Sequence, residues 1–146
     1  MMFTRLLKPS LIAHAHCDLP CGVYDPDQAR IEAESCYKII EKYNASNDDH
    51  FKARAIAIKE QRAELAKHHI GVLWSDYFKP EHVQKYPEIT ELCWKAAKQC
   101  STVKQSVDVD EARKLLQMID RIAEVWEKTG GREATRVPKV ATARAA

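Results

Sequence analysis

Glycine is nearly absent from this sequence, with 4 in 146 residues against 6 prolines and 30% charged residues. So few backbone breakers argue against a disordered or all-β chain and for a helical one. No apolar run approaches the ~20 residues that a membrane-spanning helix needs, so no membrane crossing is expected. A basic surplus is missing too, despite the formal charge of +2: residues 1–15 carry +2 and residues 130–146 carry +3, which leaves −3 over the middle. A mildly acidic centre gives no nucleic-acid footprint. Cysteine is present in an odd number, 5, so the thiols cannot all pair within the chain. Cys36, Cys93 and Cys100 fall in helical patterns and read as inert core thiols in a reducing compartment. The 45% hydrophobic content suffices for one modest core.

The periodicity predicts four amphipathic helices. The first opens at Asp25-Pro26, with Asp25 as cap, Pro26 at the first helical position and Gln28 placed for a capping box. Ile31, Ser35, Ile39 and Tyr43 follow to about Asn44. The second runs from about Asp48 to His69, with Phe51, Ala55, Ile58, Arg62 and Leu65 on one stripe and Gly71 marking its end. Trp74 to Pro80 is an aromatic connector, too apolar to lie fully in solvent. A third helix starts near Pro80, allows a break at Tyr86-Pro87, and continues through Ile89, Leu92, Cys93, Ala96, Cys100 and Val103. A fourth opens at Asp108 or Asp110 and carries Ala112, Leu115, Leu116, Ile119, Ile122, Ala123 and Trp126 up to Gly130-Gly131. Short connectors between such helices make an all-α, antiparallel four-helix bundle the expected fold, preceded by an N-terminal loop. The expected domain organisation is a cleaved pro-segment over 1–15, the loop and bundle over 16–129, and a basic tail over 130–146.

The loop is His16-Cys17-Asp18-Leu19-Pro20-Cys21-Gly22-Val23-Tyr24. Pro20 and Gly22 keep helix and strand out of it and let it curl. A Cys-x-x-x-Cys loop alone admits a disulfide, a redox pair or half a zinc site. Ala13-His14-Ala15 directly before it imitates a small-residue cleavage site, although Lys8-Pro9 splits the apolar stretch that a secretory signal would need. Cleavage after Ala15 would give His16 a free amine. That amine, the Cys17 amide nitrogen and the Cys17 sulfur then close two five-membered chelate rings, and Cys21 returns a second sulfur. The His16 imidazole can reach an axial position. Two nitrogens and two sulfurs in a plane suit nickel or copper(II), and thiolates tend to reduce copper(II), which favours nickel.

The loop closely resembles the hook of the nickel superoxide dismutases, whose motif His-Cys-x-x-Pro-Cys-Gly-x-Tyr is matched at every fixed position. The likeness continues through Asp25-Pro26, through residues 58–69 from Ile58 to His69, and through residues 73–80 from Leu73 to Pro80, and weakens after Tyr86-Pro87. The resemblance implies disproportionation of superoxide by one nickel ion per subunit, cycling between +2 and +3 on His16, Cys17 and Cys21. It implies that Glu32 holds the His16 imidazole, that Arg62 holds Glu32, and that Tyr24 stands over the open face of the metal. Two thiolates and an amide would make the +3 state accessible. It further implies a cytoplasmic homohexamer matured by a dedicated protease.

Other classes give different expectations from the same residues. A nickel carrier would use the loop without turnover and would need neither Tyr24 nor the Glu32–Arg62 pair. A helical scaffold with a Cys-x-x-x-Cys redox switch would make the amine of residue 16 irrelevant. His68 and His69 are adjacent on a helix, point about 100° apart and cannot chelate together. Trp74, Tyr77 and Phe78 read as packing groups around the loop, and Lys67 and Lys79 as sources of positive field or plain solvated lysines.

Overall fold

The computed structural model describes residues 24–131. The loop residues 16–23, the segment 1–15 and the tail from 132 onward lie outside them. The described chain folds into four long helices and one short one: α1 Asp27–Ala45, α2 Asp49–Val72, α3 Pro80–Lys85, α4 Glu88–Gln105 and α5 Val109–Lys128. Aspartates and prolines set the starts, as a helix N-terminus with unpaired amides requires. Asp48 accepts from the amides of His50 and Phe51 (2.9 and 3.2 Å), and Asp108 from that of Asp110 (2.8 Å). Pro26 and Pro87 directly precede α1 and α4. Asp25 accepts from the Asp27 amide at 2.9 Å, without the capping box expected of Gln28.

The long helices close a ring, each touching two neighbours in the order α1–α2–α4–α5. Polar links fix an antiparallel register around it: the Cys36 thiol donates to the Lys59 carbonyl (3.4 Å), Lys104 pairs with Glu64 (2.9 Å) and Arg30 with Asp120 (2.9 Å). This is the expected antiparallel bundle, with α3 as a separate turn where Tyr86-Pro87 breaks the third predicted helix.

Two helices bury faces other than those expected. On α1 the core residues are Ala29, Ala33, Cys36 and Ile40, while Ile31 stays 43% exposed. On α2 they are Ala55, Lys59, Ala63, Ala66 and Ile70, while Phe51, Ile58 and Leu65 are exposed. Small residues let α1 and α2 approach closely, and the large apolar residues opposite them come from α4 and α5. There Ile89, Val103, Leu115, Leu116, Ile119, Ile122 and Trp126 are all buried, as their repeat predicted.

Lys59 is the one fully buried charged side chain among the described residues, 1% exposed. Its Nζ donates to the carbonyls of Val103, Lys104 and Ser106 at 2.9, 2.8 and 2.6 Å. Those groups end α4, where carbonyls run out of intrahelical donors and the helix dipole is negative. Three acceptors match the three donors of an ammonium. Burial pulls the Lys59 pKa below the ordinary lysine value, with Glu60 acting in the opposite sense.

The three core cysteines are free thiols. Burial pushes each of them up from 9.0 to about 12, because a thiolate there would lose its solvation.

Candidate active site

α2 does not stop at Gly71. It runs on into a single π-helical turn, Leu73–Tyr77, closed by a hydrogen bond from the Phe78 amide to the Leu73 carbonyl (3.0 Å). Within it the Ser75 hydroxyl donates to the Gly71 carbonyl at 2.9 Å, a side-chain bond that competes with the regular ladder. One extra residue in a turn rotates every later side chain by about 100° around the axis. The turn delivers Tyr77 to the end of the bundle where α1 begins and α5 ends.

There Tyr77 gathers an aromatic cluster. Its ring lies 5.9 Å from that of Tyr24, 5.0 Å from Phe78, 5.6 Å from His82 and 6.2 Å from Trp126. The tilted and edge-on arrangements are those that ring quadrupoles favour. His82 is fixed in turn by accepting the Lys79 amide on Nδ1 at 3.2 Å. Tyr24, half-buried, thus rests on Tyr77 at the end of the predicted metal-binding loop.

Glu32 and Arg62 meet across the seam between α1 and α2. Arg62 Nη1 donates to Glu32 Oε1 and Oε2 at 3.3 and 3.2 Å. The Glu32 side chain is 14% exposed and that of Arg62 43%. One guanidinium nitrogen bridging both oxygens leaves the carboxylate with lone pairs for a further N–H donor. Glu32 is the sixth residue of α1, roughly 8 Å along the axis from its start at 1.5 Å per residue. Two of the predicted site residues, Glu32 and Arg62, are therefore in contact. Tyr24 is grouped with Tyr77, and His16, Cys17 and Cys21 lie outside the described residues.

No cluster of three or more metal-ligating His, Cys, Asp or Glu residues occurs among the described residues. His68 and His69 pack edge-to-face at 5.3 Å, consistent with packing histidines rather than a chelate. Lys67 reaches the Ser101 hydroxyl on α4 (3.4 Å). The donor set predicted for nickel is therefore not duplicated in the bundle. What the bundle adds is a carboxylate already held by arginine, the partner that a ligating imidazole uses to hold its second nitrogen. Among the described residues, the Glu32–Arg62 pair is what fits such a site.

Residues 11–130 match the family described as nickel-containing superoxide dismutase. The chain is 54% identical over 127 residues to the nickel superoxide dismutase of Streptomyces coelicolor, covering 86% of this chain and 97% of that one. It is 56% identical over 127 residues to the enzyme of the same kind from Streptomyces seoulensis, with the same shares covered. A native nickel superoxide dismutase structure superposes with a TM-score of 0.77 at 55% identity, over 79% of this chain and 99% of the other.

Proposed function

The chain belongs to the nickel-containing superoxide dismutase family, and we propose on that footing that it converts two superoxide ions and two protons into oxygen and hydrogen peroxide at a hook formed by His16, Cys17 and Cys21. The observation that carries this is the unbroken hook motif followed by a bundle that presents Glu32, already paired with Arg62. Bound nickel, one ion per subunit, supplies one-electron chemistry by alternating between +2 and +3. The chain supplies the rest. The two thiolates and the Cys17 amide nitrogen would hold the metal and donate charge to it, and the His16 imidazole would be a further ligand. Glu32 accepts the second imidazole N–H and orients the ring, and Arg62 keeps Glu32 in place. Tyr24 covers the open side, so that only small anions enter.

The N-terminal amine is a ligand in this reading, so residues 1–15 act as a pro-segment removed by a maturation protease. The tail from 130 onward begins where the family match ends. No helix among the described residues is long and apolar enough to cross a membrane, and a cytoplasmic site suits a hook of free thiols. Ile31, Ile58 and Leu65 are exposed on the helices that carry Glu32 and Arg62. Further copies of the chain, as a homohexamer, would cover them.

The test joins intact mass, nickel content and superoxide decay. Protein starting at His16 is expected to bind one nickel and turn over superoxide, and protein starting at Met1 to lack activity even when nickel is added. In the longer chain the His16 nitrogen is a mid-chain amide, and one nitrogen donor would be lost. Full activity with Met1 in place would refute the assignment.

Glu32→Gln and Arg62→Ala are expected to keep nickel and lower the rate per bound nickel by roughly 10–100-fold, the usual effect of losing a partner behind a metal ligand. The proposed ligands all lie within residues 16–21, so affinity should mostly survive. The nickel(III) electron-spin signal should change with the rate. A wild-type rate per nickel with an unaltered signal would return that residue to an ordinary helix charge.

A further inference from the structure

Thr129 ends α5 and does two things with one hydroxyl. Its Oγ1 lies 3.0 Å from the Val125 carbonyl and 2.9 Å from that of Trp126, both acceptors, so its proton is committed to the helix end. The same oxygen lies 3.0 Å from the Tyr77 hydroxyl. With the threonine proton engaged, Thr129 Oγ1 is the acceptor there and the Tyr77 phenol is the donor. The Trp126 carbonyl at 3.3 Å is a second, longer acceptor for that phenol. The Tyr77 proton thus faces the α5 terminus, while the ring of Tyr77 meets that of Tyr24 at 5.9 Å.

We infer that Thr129 is a positioning residue for Tyr24: by holding the Tyr77 hydroxyl from the last turn of α5, it fixes the ring against which Tyr24 rests. The π turn gives Tyr77 its direction, but a turn alone leaves the phenol free to swing about its side-chain torsions. The hydrogen bond to Thr129 removes that freedom. This rests on the reading that Tyr24 screens the metal, and it predicts a consequence at the site from a residue that touches neither substrate nor metal.

The experiment uses the full processed protein with 3-fluorotyrosine in place of tyrosine. Thr129→Val keeps the shape and removes the oxygen, and Thr129→Ser restores the oxygen. In Thr129→Val the fluorine resonances of Tyr77 and Tyr24 are expected to shift or broaden, with and without nickel, and in Thr129→Ser to return. The rate per bound nickel is expected to fall roughly fivefold in Thr129→Val, about 1 kcal/mol at ~1.4 kcal/mol per tenfold, and to recover in Thr129→Ser. Tyr77→Phe breaks the same bond from the other side and should move the Tyr24 resonance alike, even if Thr129→Val fails to fold. An unmoved Tyr24 resonance in both Thr129→Val and Tyr77→Phe overturns the inference. Should the wild-type protein fail to dismutate superoxide while its Tyr24 resonance still answers to Thr129, the functional reading fails and the positioning stands.

Discussion

Replacing either Cys17 or Cys21 by serine is expected to abolish superoxide turnover, while replacing Cys36, Cys93 or Cys100 by alanine leaves it. A hydroxyl is a hard, poorly ionised donor, and with one sulfur gone the higher oxidation state of nickel loses the charge that makes it reachable. The core cysteines differ in every relevant respect. They are buried, free and protonated, with pKa values pushed to about 12. Truncating one removes packing, and at Cys36 also a thiol bond to the Lys59 carbonyl, at a cost on the order of 1 kcal/mol of stability. The measurement is superoxide decay per bound nickel across the five single variants, with melting temperature as control. Turnover surviving in Cys17→Ser or Cys21→Ser with nickel bound would refute the ligand assignment.

Lys59→Ala is expected to be the most destabilising single change in the bundle. It strips a donor from three carbonyls at once, those of Val103, Lys104 and Ser106. An acceptor left unsatisfied in a buried place costs about 1–3 kcal/mol, and the buried aliphatic stem is lost as well. Taken together the loss should reach about 3 kcal/mol or more, enough to lower the melting temperature by on the order of 10 °C. Lys59→Met, which keeps the stem, should recover part of the packing but none of the hydrogen bonding. Melting followed by circular dichroism distinguishes these, and an Ala variant within a degree of wild type would show that water replaces the ammonium at no loss.

The two predictions bear on different parts of the chain, and those parts were unequally legible. α4 and α5 could be read from sequence because their buried faces are built of large apolar residues at helical spacing, such as Leu115, Ile119, Ile122 and Trp126. α1 and α2 could be read as helices but not by face. Their shared seam takes alanines, Cys36 and the stem of Lys59, while Ile31, Phe51, Ile58 and Leu65 point outward. Periodicity registers side-chain size, and on these two helices most of the large residues on the expected stripe lie outside the core. A lysine in a charged helix carries no mark of its burial, so Lys59 gave no signal. The π turn was also invisible: Gly71 suggested a stop, yet the helix passes through it and a Ser75 hydroxyl bond accompanies the change of pitch.

The site divides in the same way. The proposed hook could be read from chelating spacing, which is local in sequence. The contact between Glu32 and Arg62 spans 30 positions and came from family likeness alone. Tyr77 was visible only as a packing aromatic, because its bond to Thr129 joins residues 52 positions apart.

The three core thiols bear on how such an enzyme ages in its own product. Hydrogen peroxide oxidises thiolates, not thiols. Burial pushes their pKa values up to about 12, so far fewer of them are ionised at pH 7 than of ordinary exposed cysteines. Peroxide that reaches the bundle therefore meets sulfur that is much slower to react on this ground alone, and the core can carry cysteine without the swelling that a sulfinic acid would force on it.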